Sequence, residues 1–417
     1  MADPALAQKV ATDVARTLQT HGHIAYFAGG CVRDALLGQQ PTDFDIATDA
    51  TPQRVQDLFE RTAAVGAHFG VVLVKRRGVT VEVATFRSDG PYGDRRRPDH
   101  VTFSDARADA QRRDFTINAL FLDPLAEGAA RVIDHVGGQA DLAGGIIRAV
   151  GDPEQRLAED HLRALRAVRF AARLGFTIDT ATRDAIMRHA SELAGVSRER
   201  IGDEIRRMMA DSSRQAAGRL VEQLGLDEPV LGASGRSSGG RLGRLGRSAD
   251  LGQGLAAWLL DRGAVVEADL EQRVGDLRQR LLLSNEERAD LRDTLACYFR
   301  LRDRWRTEGV AWRKRLAAAS RFLPAVELLS EDDERAVASH IADDVRNLKG
   351  TTSGLAPPPL LTGDDLVAAG WRPGPRFGRI LEAVYDAQLE DRVATRAEAM
   401  ELATRLGVEQ NRAESSP

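Results

Sequence analysis

The spacing of apolar positions divides this chain into a mixed front part and a helical remainder. Leu6, Val10, Val14 and Leu18 recur at helical intervals and predict an amphipathic helix over Pro4–His21. Ile24–Ala28 then stays apolar for the length of a strand and stops at Gly29-Gly30, after which Val32–Leu37 resumes a helical pattern. Asp43-Phe44-Asp45-Ile46-Ala47 alternates polar and apolar, as a strand does. Thr51-Pro52-Gln53 is a helix start, with a capping side chain followed by proline in the first turn, and predicts a helix through Phe59. The Val-rich runs Phe69–Lys75 and Val79–Phe86, separated by Arg76-Arg77-Gly78, predict a hairpin. A helix is expected over Asp109–Leu122, and a small strand-and-turn insert over Ile133–Ile147, where Gly137-Gly138 and Gly144-Gly145 fall. From Gly151 onward the pattern is helical, with Ile201–Met209, Ala216–Leu224 and Leu255–Leu406 carrying it.

Two stretches interrupt that helical part. Residues 231–254 are crowded with Gly, Ser and Arg and read as a flexible linker, and Ala356–Pro359 is a proline-rich break. Leu281–Glu287 contains a helix N-cap signal. The expected fold class is therefore α+β: a head over 1–150 with a mixed sheet and helices, a helical neck over 151–230, the linker, and a helical body and tail over 255–417. A length of 417 residues supports several such units, and no internal repeat is present.

Composition narrows the class further. With 43% hydrophobic and 29% charged residues the balance is globular, and no run approaches the ~18 apolar residues of a membrane span. Met1-Ala2-Asp3-Pro4 offers neither a basic flank nor an apolar segment, so no signal peptide is expected. Two cysteines, Cys31 and Cys297, exclude a disulfide scaffold and point to the cytoplasm. A net charge of −4 argues against indiscriminate nucleic-acid binding and leaves room for local basic tracks.

Candidate chemistry gathers in the head. A glycine turn opening a helix suits a phosphate, and Gly29, Gly30 and Arg33 form such a turn. In a strand, Asp43 and Asp45 project to one face. Two carboxylates side by side call for a cation, and hard oxygen donors suit Mg²⁺. A lone Gly-Gly or a lone Asp-x-Asp is usually an ordinary turn or edge; the order strand, glycine turn, helix, acidic strand is far more specific. Glu82 is an isolated acid in an apolar strand, either a third metal carboxylate or a structural partner for an arginine. The loop 87–100, with Asp94-Arg95-Arg96-Arg97, is either solvated or a mobile contact for RNA or triphosphate. Within the expected helix, Arg112, Arg113, Asp114 and Asn118 suit a sugar and phosphates, surface salt bridging being the plain alternative. In Glu159-Asp160-His161-Leu162-Arg163, Asp160 and Arg163 stand three apart on one helix face. Such a pair accepts from an exocyclic amine and donates to a ring nitrogen or carbonyl, which selects C and A, although a surface ion pair has the same spacing. Arg166, Arg169 and Arg173 continue a basic stripe.

On these residues the chain resembles the class II tRNA nucleotidyltransferases and bacterial poly(A) polymerases, a family within the DNA-polymerase-beta-like nucleotidyltransferases. The motifs are Gly-Gly-x-Val-Arg-Asp (29–34), Asp-x-Asp (43–45), Glu-Val-Ala-Thr-Phe-Arg (82–87), Arg-Arg-Asp-Phe-Thr-Ile-Asn (112–118) and Glu-Asp-x-x-Arg (159–163), with Leu165–Phe176 continuing the last. A weaker likeness covers 361–389. The resemblance implies a polymerase-beta-like head followed by helical neck, body and tail. It implies Asp43 and Asp45 as the catalytic Mg²⁺ ligands, with Gly29, Gly30 and Arg33 on the triphosphate. Arg113 and Asp114 would lie against phosphates and ribose, and Asp160 and Arg163 would template the base. Asn118, Arg166 and Arg169 are further nucleotide-binding candidates, and Glu82 joins the metal set as one of its two readings. The implied substrates are CTP, ATP and the tRNA 3′ end, in a monomer or homodimer.

His161 departs from the small residue or proline usual in that motif and is expected to point away from the base. No His-Asp dipeptide marks an appended phosphohydrolase, so none of that activity is expected. CCA addition leads the implied functions; the alternatives are A-adding or CC-adding enzymes, a poly(A) polymerase, and a catalytically inactive RNA-binding protein.

Overall fold

The computed structural model describes residues 3–64, 70–90, 100–233, 235–329 and 332–414. Two compact units form the chain: residues 1–236 with the short segment 279–282, and residues 237–278 with 283–417.

The first unit opens with α1 (Pro4–Thr20), whose N-terminus is capped by the Asp3 carboxylate accepting from the Ala5 N–H at 3.1 Å. Val10, Val14 and Leu18 form its buried stripe against β1 (Ala25–Ala28) and the neighbouring strands. After β1 come α2 (Gly30–Leu36), β2 (Asp45–Thr48), α3 (Pro52–Leu58), β3 (Thr62–Ala64), β4 (Val71–Arg76) and β5 (Val79–Thr85). The predicted hairpin is β4–β5. Arg77 and Gly78 both take positive φ, 51° and 77°, so the two-residue turn has the twist that suits the flanking strands. Phe69, the first residue of its predicted first strand, lies outside the described residues.

Seven strands form one sheet in the order β3-β4-β5-β2-β1-β8-β9, with β8 (Phe121–Leu122) and β9 (Val132–Ile133) closing it. Every pairing is antiparallel except β2 with β5. That parallel pair sets Asp45 opposite Glu82. A separate two-stranded ribbon pairs β6 (Arg87–Asp89) with β7 (Val101–Phe103). The tip with Asp94–Arg97 lies outside the described residues.

Two expectations for the head are corrected. The stretch 109–122 is not one helix. Here α4 (Ala106–Gln111) ends before the motif, Phe115 makes an isolated bridge with Ala149, Thr116–Asn118 is a single 3₁₀ turn, and β8 follows. Phe115, Ile117, Ala119, Leu120 and Phe121 are all buried, so the segment has no solvent face for a helical period to mark. The 133–147 insert contains a helix, α5 (Gly138–Gly144), and its paired glycines are the caps: Gly137 and Gly145 both adopt the left-handed conformation.

The neck runs through α6 (Pro153–Glu159), α7 (Arg163–Leu174), α8 (Thr180–Arg188), α9 (Arg198–Ala210), α10 (Arg214–Gln223) and α11 (Asp227–Leu231). One small strand interrupts it: Thr177–Ile178 pairs in parallel with Ile146–Ile147.

The second unit is helical among its described residues. Part of the stretch read as a linker is ordered. Arg241–Arg244 is a short helix, Arg241 and Leu242 are buried, and a helix over Leu251–Asp261 begins within it. The buried Asp261 carboxylate accepts from the Arg241 and Leu242 N–H groups, a non-local tie that glycine content could not reveal. The predicted N-cap is Ser284, which forms a capping box with Glu287 on the helix Asn285–Arg304. Towards the C-terminus, Leu361, Leu366, Ile380, Val384 and Ala399 pack as a separate small core. No helix among the described residues is long and apolar enough to cross a membrane.

Candidate active site

A cleft of about 1160 Å³ opens in the first unit between the sheet and the neck helices. Its lining includes each of the residues singled out in the sequence: Gly29, Gly30, Arg33, Asp43, Asp45, Glu82, Arg113, Asp114, Asn118, Asp160, Arg163, Arg166 and Arg169.

The acidic wall follows from strand register. Asp45 is the first residue of β2 and Asp43 lies two residues ahead of it, while Glu82 faces Asp45 from β5. Burial, and then the Glu82 carboxylate, push the Asp45 carboxyl up to about 6, with Arg113 pulling it down and Asp43 adding to the rise. Asp43, Asp45 and Glu82 thus offer three hard oxygen donors to one cleft, the chemistry that suits a divalent cation.

The glycine turn opens α2 at the cleft, and Gly29 has a structural task there. Gly29 has φ 74° and ψ −128°, and its N–H donates to the Leu120 carbonyl at 3.2 Å. A Cβ there would stand 3.1 Å from Arg113 Nη1. Gly29 is therefore a turn that lets a guanidinium approach the backbone. Arg33 is 3% exposed, donates to Asn118 Oδ1 at 2.6 Å and pairs with Asp34 at 2.6 Å.

The 112–118 motif holds together without a helix. Arg113 donates to Asp109 Oδ2 through Nε and Nη2 at 3.1 and 3.0 Å, and to the Asn118 carbonyl at 3.0 Å. Asn118 Nδ2 donates to Asp114 Oδ1 at 3.1 Å, and Arg166 donates to Asp114 Oδ2 at 2.8 and 2.5 Å. Burial alone would raise the Asp114 carboxyl; the Arg166 guanidinium, Asn118 and the Phe115 N–H outweigh it and hold the group at about 2. Phe170 lies under three guanidiniums, with Arg33, Arg166 and Arg169 at 5.1, 5.4 and 4.2 Å from its ring centre.

Asp160 and Arg163 do not share a helix face. Asp160 is the C-cap of α6 and Arg163 is the first residue of α7, so the pair sits at a corner. The Asp160 carboxylate accepts from the Leu162 N–H at 3.1 Å and from Arg200 at 3.1 and 2.7 Å. Arg163 donates to Glu159 Oε2 and the Arg156 carbonyl, at 2.5 and 2.6 Å. Both side chains line the cleft, each held by its own partners.

Sequence reasoning missed the residues that hold these groups in place. Asp109, 1% exposed, receives both Arg112 and Arg113, and its spacing of three and four residues from them was a readable signal. Arg200, and Glu204 which pairs with Arg169 at 2.6 Å, come from α9, and nothing local in the sequence links them to the cleft. Arg87, Asp89, Arg112, Arg173 and Arg207 also line it.

Residues 25–148, which carry the sheet and the acidic wall, match the poly A polymerase head domain. Its head is similar to that family. Residues 175–231, beyond the poly A polymerase head, match the probable RNA and SrmB-binding site of polymerase A. Among curated proteins, a CCA-adding enzyme of Geobacillus sp. (strain WCH70) is 45% identical over 217 residues, 52% of this chain and 53% of that protein. One from Lactiplantibacillus plantarum is 47% identical over 193 residues, 46% of each. These sequence matches span about half the length of the curated relatives. The fold likeness goes further. The Bacillus stearothermophilus CCA-adding enzyme in complex with CTP matches with a TM-score of 0.76 and 27% identity over 99% of this chain and 100% of that one. The Thermotoga maritima CCA-adding enzyme complexed with tRNA shares the fold at a TM-score of 0.66 and 18% identity.

Proposed function

We propose that this chain is a nucleotidyltransferase that adds C, C and A to the tRNA 3′ end from CTP and ATP, with the protein rather than a nucleic-acid template choosing the base. The observation that carries this reading is one cleft lined by the acids Asp43, Asp45 and Glu82, by Asp160 and Arg163, and by a group of arginines. Similarity to CCA-adding enzymes, one of them in complex with CTP, supports it.

In this reading Asp43, Asp45 and Glu82 would hold Mg²⁺, which would supply charge to lower the pKa of the attacking hydroxyl and to offset that of the leaving pyrophosphate. Arg33 and Arg113 bind the triphosphate. Asp114 and Asn118 orient the ribose, with Arg166 and Arg169 flanking them. Asp160 accepts from the exocyclic amine of C or A, and Arg163 donates beside it; U and G offer Asp160 a carbonyl and are refused. The RNA 3′-oxygen attacks the α-phosphorus in line, the new P–O bond forms as the bond to pyrophosphate breaks, and the hydroxyl proton leaves to solvent. Side chains contribute positioning and electrostatics rather than covalent steps. Residues 1–150 carry the transfer, 151–230 the base choice and part of the RNA contact, and 255–417 hold the tRNA through its backbone and shape. The reaction belongs in the cytoplasm, consistent with Cys31 and Cys297 being buried and free.

The match to a poly A polymerase head keeps one second reading in play, a poly(A) polymerase. An extension assay separates them. Purified protein and Mg²⁺ are incubated with transcripts ending before CCA, after C and after CC, with CTP, ATP or both. Three nucleotides on the shortest transcript, then a stop, is the expected result. Long A tails establish the poly(A) reading, and extension by A alone or CC alone establishes a partial enzyme. Asp43→Ala and Asp45→Ala proteins should be inert, and turnover in either overturns the site assignment.

A further inference from the structure

His161 sits between Asp160 and Arg163 at the α6–α7 corner, but its side chain does not line the cleft. It is 3% exposed and faces two other elements of the same unit. Its Nε2 lies 3.1 Å from Glu192 Oε2, and its ring centre is 5.9 Å from that of His189, with the planes 35° apart. His189 is the C-cap of α8, and Glu192 lies in the 3₁₀ segment Ala190–Gly195 that follows. His189 Nδ1 stands 2.6 Å from Glu192 Oε1, and His189 Nε2 stands 2.6 Å from Glu154 Oε2. One donor atom from each of His161, His189 and Glu192 falls within 4.8 Å of the others.

We propose that His161, His189 and Glu192 form a second metal site, for Zn²⁺ or a similar borderline transition metal, separate from the Asp43–Asp45–Glu82 wall. Two imidazole nitrogens and one carboxylate are the donor set of such ions, whereas an all-carboxylate wall suits Mg²⁺. Glu154 adds an independent argument. A metal-ligating histidine characteristically donates its other ring N–H to a carboxylate, which fixes the tautomer. With a metal on His189 Nδ1, the Nε2–H points at Glu154, which is already in place at 2.6 Å. Three protein ligands leave a coordination position for water. The site joins the α6–α7 corner to α8 and the 3₁₀ segment, so an ion there braces the backbone on both sides of Asp160 and Arg163 without touching nucleotide.

The test uses the full chain carrying Asp43→Ala and Asp45→Ala, which disables the carboxylate wall and makes the outcome independent of the proposed activity. It is titrated with Co²⁺ in excess Mg²⁺, and Zn²⁺ is then used to displace the cobalt. One equivalent of Co²⁺ with visible d–d bands, displaced by Zn²⁺, is expected. Added His189→Gln or Glu192→Gln should abolish the bands, and Glu154→Gln should weaken binding by about 10–100-fold, as loss of an outer-shell partner does. His189 keeps 26% of its side chain exposed, so its substitution is tolerable, and circular dichroism melts confirm folding of each variant. No stoichiometric Co²⁺ or Zn²⁺ uptake by the folded protein, or uptake that survives both His189→Gln and Glu192→Gln, overturns the proposal.

Discussion

Asp114 and Arg166 show what a single cleft contact contributes. The Asp114 carboxyl is held at about 2, against an ordinary 3.8. A depressed folded-state pKa means the charged form is favoured on folding. The pair's stabilisation is therefore fully present above pH ~4 and is lost as pH falls through about 2. Acid unfolding of the wild type should show this loss, and Asp114→Asn should flatten that part of the profile. Arg166→Ala leaves the buried carboxylate without its main partner. The expected cost is about 2–3 kcal/mol, below the ~3–5 of a fully buried pair because Arg166 keeps 32% of its side chain exposed. Urea midpoints check it, and a shift under 1 kcal/mol would contradict this account. Arg200 is a positioning residue of the opposite kind, donating twice to the Asp160 carboxylate. Arg200→Ala should lower discrimination of CTP and ATP against UTP and GTP about tenfold, as loss of about one good base contact would. It should change KM more than kcat, and Arg200→Lys should recover part of the loss. Unchanged nucleotide choice would remove Asp160 from base selection or Arg200 from its support.

At the scale of elements, legibility followed how much of an element's rationale is local. α1, α3 and the β4–β5 hairpin were readable because caps, a proline in the first turn and a two-residue turn lie within a few residues of one another. The 109–122 segment was not. Asp114 and Asn118 keep the four-residue spacing of a helix and do hydrogen-bond, yet the chain between them is a bridge and a 3₁₀ turn. Its shape is imposed from outside by α5, where Thr116 Oγ1 donates to Asp141 at 2.7 Å. Asp160 and Arg163 misled for a related reason: the three-residue spacing is real, but a helix boundary runs through it. Gly138 tests the support given by α5. A Cβ there would lie 2.2 Å from the Thr116 carbonyl oxygen, a backbone atom with no rotamer to yield. Gly138→Ala should destabilise by about 1–3 kcal/mol, the usual cost of overpacking. It should also lower kcat by shifting Asn118 and Asp114. A Tm within a degree of wild type with full activity would show that α5 does not set the motif.

For the whole molecule the informative contrast lies between likeness of sequence and likeness of fold. Identity of 45% covers 52% of the chain, while fold likeness to a CCA-adding enzyme covers 99% of it. Every residue lining the cleft falls between Ala28 and Arg207, within the first unit. A transfer site must keep its carboxylates and guanidiniums within fractions of an ångström. A surface that holds RNA by backbone and shape needs only charge and contour, so its sequence can drift further. The proposed function makes a prediction for the fragment 1–236. It retains the complete cleft lining and should bind CTP and ATP within about tenfold of the full chain, a difference of 1.4 kcal/mol. It should fail to extend tRNA, since the residues proposed to hold tRNA are absent. The fragment also loses segment 279–282, where the Leu281 and Leu282 carbonyls accept from Arg206. A melting point a few degrees lower, about 1 kcal/mol, is the expected penalty for those two bonds. Calorimetric titration with CTP, beside a gel assay on a CC-ended transcript, reads both properties from one preparation. Efficient tRNA extension by the fragment would assign RNA binding to the neck alone and remove it from the helices after residue 236.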